Sequence, residues 1–210
     1  MQILLASLLI VLPLGVGAAV YLTEYAQNKK LVAAIEYAAE TLSGIPSIIY
    51  GLFGMLFFVT ALKWGYSMMA GAATLAIMVL PVIMRTTEEA LLCVPDSFRE
   101  GSFGLGAGKL RTIFKIVLPS AIPGILSGII LAIGRIVGET AALIYTSGTV
   151  ANLAGFFDSG RTLAIHMYSL SREGMHTNEA YATAVVLLIV VLIINGVSSL
   201  IAKKFEAPKQ

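Results

Sequence analysis

Arg135 and Glu139 stand four residues apart inside an apolar run that extends from Ala121 to Ile144. On a continuous helix that spacing puts both side chains on one face, where they can pair. Counted from Pro119, they lie about 24 and 30 Å along such a helix. Arg135 is then deep within a membrane-length segment, and Glu139 lies toward its far half. A charge near the bilayer centre costs roughly 2.5–3.5 kcal/mol on insertion scales, so such residues face a bundle interior or a watery path. Two roles fit. A guanidinium stays protonated and presents a planar fork of donors that matches the oxygens of an oxyanion two at a time. Glu139 would then temper its grip, because a transport site must load and also release. The other role is an ion pair that fastens helices together. Spacing alone leaves both open.

Other chemically suggestive residues carry less. Gly104-Leu105-Gly106-Ala107-Gly108-Lys109 has the composition of a phosphate-cradling loop but not its spacing. Such a loop requires glycine where Phe103 stands and Ser or Thr where Leu110 stands, after an apolar strand. The dinucleotide pattern fails as well, since its third glycine would fall on Lys109. The chain therefore shows no nucleotide site of its own, and its glycines read as close packing in a loop. Any ATP and magnesium would sit on another subunit. Cys93, the single cysteine, excludes an internal disulfide framework and reads as a free thiol. His166 and His176 lie ten apart on a polar connector without the partner set of a zinc site. No metal or bound cofactor is expected.

The elements that must position Arg135 follow from composition. Of 210 residues, 58% are hydrophobic and 12% charged, and the mean hydropathy is +0.89. This balance fits a multi-pass α-helical membrane protein and excludes most soluble domains. A net charge of only +2 argues against nucleic acid as a partner. Apolar runs long enough to cross the hydrocarbon core predict about five spans. They cover Ile3–Leu22, Ile45–Leu62, Met68–Met84, Ala121–Ile144 and Tyr181–Ala202. The first is read as a span and not a cleaved leader, because no basic segment precedes it and it exceeds a leader's apolar core. Leu31–Ser43, with Glu36 and Glu40, is too short and too charged to span and is placed at the interface. Gly44-Ile45-Pro46-Ser47 breaks the chain before the second span. Gly124 and Gly128, and again Gly134 and Gly138, are spaced for close helix approach in lipid. No internal repeat is visible, and residues 1–210 read as one domain.

Basic residues orient the bundle. Lys29, Lys30, Arg85, Arg99, Lys109, Arg111, Lys115, Lys203, Lys204 and Lys209 fall on one side, and only Lys63, Arg161 and Arg172 on the other. The 85–119 loop and the C-terminus are thus expected in the cytosol. The N-terminus and the 146–178 connector are expected outside.

The longest polar interruption, 85–119, carries a motif. Glu100-Gly101-Ser102 is followed by three residues, Gly106, nine residues and Ile116-Val117-Leu118-Pro119. That pattern resembles the EAA loop of ABC importer permeases, with Gly101 and Ser102 in place of two alanines. The resemblance implies a pair of short cytosolic coupling helices that dock on an ATPase. Coupling would fall to Glu100, Gly106, Ile116, Leu118 and Pro119. The wider pattern adds Pro13-Leu14-Gly15-Val16-Gly17, Gly44-Ile45-Pro46-Ser47, Arg85-Thr86-Thr87-Glu88-Glu89-Ala90, Val94-Pro95-Asp96-Ser97 and Gly134-Arg135-Ile136-Val137-Gly138-Glu139-Thr140-Ala141. Together these resemble the PstA family of phosphate ABC importer permeases along nearly the whole chain.

That resemblance implies the type I ABC importer transmembrane fold and a prokaryotic inner-membrane location. It implies a second, PstC-like permease subunit, a PstB-like ATPase dimer and a periplasmic or lipid-anchored phosphate-binding protein. It ties Arg135 and Glu139 to phosphate translocation. Family members usually carry a further transmembrane helix before the segment corresponding to Met1. A permease for another oxyanion, sulfate or molybdate, remains a competing reading, because nothing in a guanidinium excludes these. An intramembrane enzyme would need a nucleophile and base on facing spans, and the buried ionisable pair here is Arg135 with Glu139. A non-transporting membrane scaffold would fail to co-purify with an ATPase.

Overall fold

The computed structural model describes residues 1–151, 155–174 and 176–205, apart from the side chains of 173 and 203–205. Lys209 of the orientation argument lies outside the described residues. Every regular element among the described residues is helical. Helix α1 (Gln2–Val20) runs on through a π-helical turn, Tyr21–Tyr25. Then come α2 (Lys29–Ser43), α3 (Ser47–Gly54, prolonged by a π-helical stretch Met55–Ala61) and α4 (Met68–Leu92). Two short helices follow, α5 (Asp96–Gly104) and α6 (Lys109–Thr112). The latter continues through Ile113–Val117 into α7 (Leu118–Gly138). The chain ends with α8 (Ala141–Ile144), α9 (Leu163–Glu173) and α10 (Thr177–Phe205).

Four helical stretches are long and apolar enough to cross a membrane: Gln2–Tyr25, Met68–Leu92, Lys109–Gly138 and Thr177–Ala202. A fifth crossing is possible by length if α2 and α3 count as one broken span, bent by 98°. The bend has local causes. Gly44 ends α2, and Pro46 keeps Ile45 from continuing the helix. The Tyr50 hydroxyl donates to the Leu42 carbonyl at 2.7 Å, closing the elbow. The expected interfacial helix is therefore not isolated. It lies against α4, where Glu40 Oε2 stands 3.7 Å from Arg85 Nη1.

Helix α4 is the centre of the bundle, flanked by α1 and α7. Its Leu75, Met78, Val79 and Ile83 pack with Val11 of α1, Ala132 and Ile136 of α7, and Ile165 of α9. Close approach of α7 depends on small residues: a Cβ on Gly124 would stand 2.6 Å from the Ala90 Cβ, and one on Gly128 would overlap the Thr86 side chain. By contrast, no residue in the most apolar stretch of α10 is buried. The connector between α8 and α9 is tied to α4 at its described residues. Its Asp158 and Phe156 carbonyls accept from the Met68 and Met69 amides, two N–H groups that the first turn of α4 cannot satisfy.

Two boundaries differ from expectation. Helix α4 does not stop at Met84 but continues to Leu92, so Arg85, Glu88 and Glu89 are helical and the turn begins at Cys93. Charged residues end an apolar run, yet Arg and Glu are good helix formers, so the helix outlasts the run. The Ala121–Ile144 segment is not one helix. It breaks after Gly138, where Glu139 is extended (φ −71°, ψ 127°), and resumes as α8.

Candidate substrate path and docking elbow

The two interrupted helices meet. Gly51 of α3 packs on the α8 backbone so closely that an added Cβ would lie 2.8 Å from the Ala142 Cα and 3.1 Å from its carbonyl oxygen. Breaks of this kind inside a membrane bundle leave backbone polar groups at depth, which lipid does not tolerate and a polar path does. Arg135 sits in the last turn of α7, next to this junction. It is half-buried.

The break changes the relation between Arg135 and Glu139. Because Glu139 has left the helix, the i, i+4 geometry does not form, and no ion pair joins the two among the described residues. Glu139 Oε1 instead accepts from the Ala142 amide at 3.0 Å, capping α8. The Arg135 side chain makes no hydrogen bond and no ion pair among the described residues. A cavity of about 280 Å³ lies along α7, but Ile136, Val137 and Arg161 line it, and Arg135 does not. The surface beside Arg135 that carries Gly134 and Gly138 is open, with no atom packed against a Cβ at either within 4 Å among the described residues.

The candidate docking elbow lies between α5 and α6. Gly106 turns the chain with φ +81°, a conformation that side-chain-bearing residues rarely adopt. Ser102 and Thr112 hydroxyls meet at 2.8 Å beneath the turn and hold its two arms together. A cleft of about 340 Å³ opens there, lined by Gly106 and Ile116 with Arg111 and Lys115. Glu100 and Pro119 are exposed, and Leu118 is half-buried where α7 begins. The elbow therefore unites Gly106 with Ile116 and leaves Glu100 on the outer side of α5. Leu105 at its tip is 92% exposed, and Phe98 and Phe103 are exposed nearby. An apolar tip projecting from a charged loop is a surface suited to a partner protein.

Nothing in the sequence pattern points to Glu24 or singles out Arg99, yet they form the strongest polar contact at the elbow. Arg99 donates from Nη2 and Nε to Glu24 Oε1 at 2.8 and 3.1 Å. It also donates to the Val94 and Leu91 carbonyls at 2.8 and 3.0 Å, and to Asp96. Lys109 Nζ lies 4.9 Å above the Tyr25 ring, a second link between the elbow and the end of α1.

The sequence of residues 11–207 matches the family described as binding-protein-dependent transport system inner membrane component. The chain belongs to this family of transport-system membrane components. It is a multi-pass inner-membrane permease of the ABC transporter class. It is 39% identical to the probable ABC transporter permease protein YqgI of Bacillus subtilis, over 98% of this chain and 77% of that protein. It is 37% identical to the phosphate transport system permease protein PstA 1 of Mycobacterium tuberculosis, over 90% of this chain and 63% of that protein. With PstA of Yersinia pestis the identity is 36%, over 91% and 66%. The permease thus spans roughly two thirds to three quarters of these relatives' lengths. Its fold matches the inward-facing MetNI methionine ABC transporter with a TM-score of 0.81 at 20% identity, covering 98% of this chain and 94% of that one. A bacterial ABC transporter that imports alginate gives 0.74 at 16% identity, covering 98% and 78%. These likenesses establish the ABC importer permease fold.

Proposed function

We propose that this permease carries inorganic phosphate inward across the membrane, powered by ATP hydrolysis on a partner. The observation that carries the reading is Arg135. It is a guanidinium without a protein anion among the described residues, placed where two helices break inside the bundle. Such a group offers bidentate donors to a tetrahedral oxyanion. The names of relatives matched over some nine-tenths of the chain supply phosphate as that oxyanion.

Arg135 does not line the cavity along α7, and its open flank carries Gly134 and Gly138. A second permease subunit, PstC-like, would complete the path on that side. The elbow around Gly106 and Ile116, with Glu100, Leu118 and Pro119, would dock on a PstB-like ATPase dimer that binds ATP and magnesium. A periplasmic or lipid-anchored phosphate-binding protein would deliver substrate to the outer connector. The N-terminus would then lie outside and the C-terminus in the cytoplasm.

The test is radiolabelled phosphate uptake by the assembled complex in proteoliposomes. Arg135→Ala is expected to abolish uptake while the subunits still co-purify. Unimpaired uptake by that variant would remove Arg135 from the path. Excess sulfate or molybdate is expected not to compete. Competition by either would mean that the path does not select phosphate over that oxyanion.

A further inference from the structure

Helix α1 and the docking elbow are far apart in sequence and share no local pattern, yet one side chain binds them together. Arg99 lies on α5 and Glu24 in the π-helical turn that ends α1, seventy-five positions earlier. Both are largely enclosed, with side chains 16% and 10% exposed. Two of the guanidinium's nitrogens meet one carboxylate oxygen, and two also reach the carbonyls that close α4, at Leu91 and Val94. Three elements thus share one planar cation: the end of α1, the end of α4 and the body of α5. A lysine could not make this set, having a single nitrogen on a flexible stem. Exposed ion pairs contribute little because water competes for each partner. This one is sheltered, multiply bonded and fixed in direction, so it transmits displacement as well as attraction.

The π-helical turn adds a mechanical reason. Tyr21–Tyr25 widens the helix just where Glu24 must point at α5, and Tyr25 in the same turn lies under Lys109 from the other arm of the elbow. Both arms are therefore held to α1. Helix α1 in turn packs along α4 through the bundle core.

We propose that Glu24 and Arg99 are positioning residues that make α1 and the docking elbow move as one body. A push on the elbow then reaches the outer end of the bundle through α1 as well as through α7. This rests on the elbow being the ATPase docking site, as argued above.

The experiment uses the complete transporter in proteoliposomes, with spin labels at the exposed positions Gln27 and Ser97 in a Cys93→Ser background. The distance between labels is measured without nucleotide and with ATP trapped on the ATPase, and phosphate moved per ATP hydrolysed is measured in parallel. The expected result is one narrow distance in both states. Glu24→Gln, which keeps shape and removes charge, should broaden that distance and lower phosphate moved per ATP several-fold, with the subunits still co-purifying. A distance that shifts with ATP in the unaltered tether overturns the proposal, as does a Glu24→Gln complex that retains full transport per ATP. A complex with the native tether that hydrolyses ATP but moves no phosphate counts against the substrate reading alone. The tether is then judged by the label distances.

Discussion

Gly51 and Ala142 touch backbone to backbone, with 2.8 Å between the Ala142 Cα and the place where a Gly51 Cβ would stand. This contact joins the two broken helices and fixes the junction beside Arg135. Gly51→Ala must push α3 away from α8. Overpacking of this kind costs about 1–3 kcal/mol. The expected outcome is a lower melting temperature of the purified permease and reduced phosphate uptake. Gly17→Ala is the control, because nothing lies within 4 Å of its Cβ. Within a helix that change should be neutral or stabilise by about 0.5–1 kcal/mol. Equal melting temperatures for the two variants would count against the close packing of α3 on α8.

Glu139 acts through its oxygen, not through Arg135. Its carboxylate accepts from the Ala142 amide and makes no pair with the guanidinium. Glu139→Gln keeps an acceptor oxygen and should retain most of the stability. Glu139→Ala removes the cap and should cost about 1 kcal/mol, by analogy with other helix caps. Thermal unfolding of the two variants in detergent checks this order. A glutamine variant as unstable as the alanine variant would mean that the charge itself is needed for folding.

How much of this could be read from residues alone depends on the range of the cause. The spans were legible because a bilayer demands about twenty apolar residues in a row. The elbow at Gly44–Ser47 was legible because glycine and proline act on their own backbone. The break at Glu139 was not. Gly138 is the one local cue, and what stabilises the break is a cap on Ala142 and the packing of Gly51, a partner some ninety residues away. That error carried over to the site, since the expected Arg135–Glu139 face required an unbroken helix. The Arg99–Glu24 contact lay beyond reach for the same reason. The extension of α4 to Leu92 was hidden differently, because charge marks where lipid ends and not where a helix ends.

The glycines of α7 fall into two pairs with different partners. Gly124 and Gly128 lie on α4, against Ala90 and Thr86. Gly134 and Gly138 face open space within this chain. Gly124→Val should therefore destabilise the isolated permease. Gly134→Val should leave the isolated chain's melting temperature nearly unchanged and weaken its association with the second permease subunit. Size-exclusion chromatography of co-expressed subunits, together with thermal melts of the single chain, separates the two effects. Loss of single-chain stability in Gly134→Val would mean that its open flank is closed within the chain.

Gly106 tests whether backbone shape or surface bulk matters at the docking turn. Its φ of +81° is strained for any residue with a Cβ, yet no other atom lies within 4 Å of where that Cβ would be. Gly106→Ala should thus cost on the order of 1 kcal/mol through the backbone alone. Because α5 and α6 are held together by Ser102 and Thr112, the strain should reshape the turn itself instead of dispersing along the bundle. The expected result is an assembled complex that hydrolyses ATP but moves several-fold less phosphate per ATP. Gly104→Ala supplies the comparison two residues earlier, where φ is not positive and space is equally open. Coupling should survive there. If both variants lose coupling alike, the turn's conformation is not what the partner recognises, and the exposed Leu105 tip becomes the feature to mutate next.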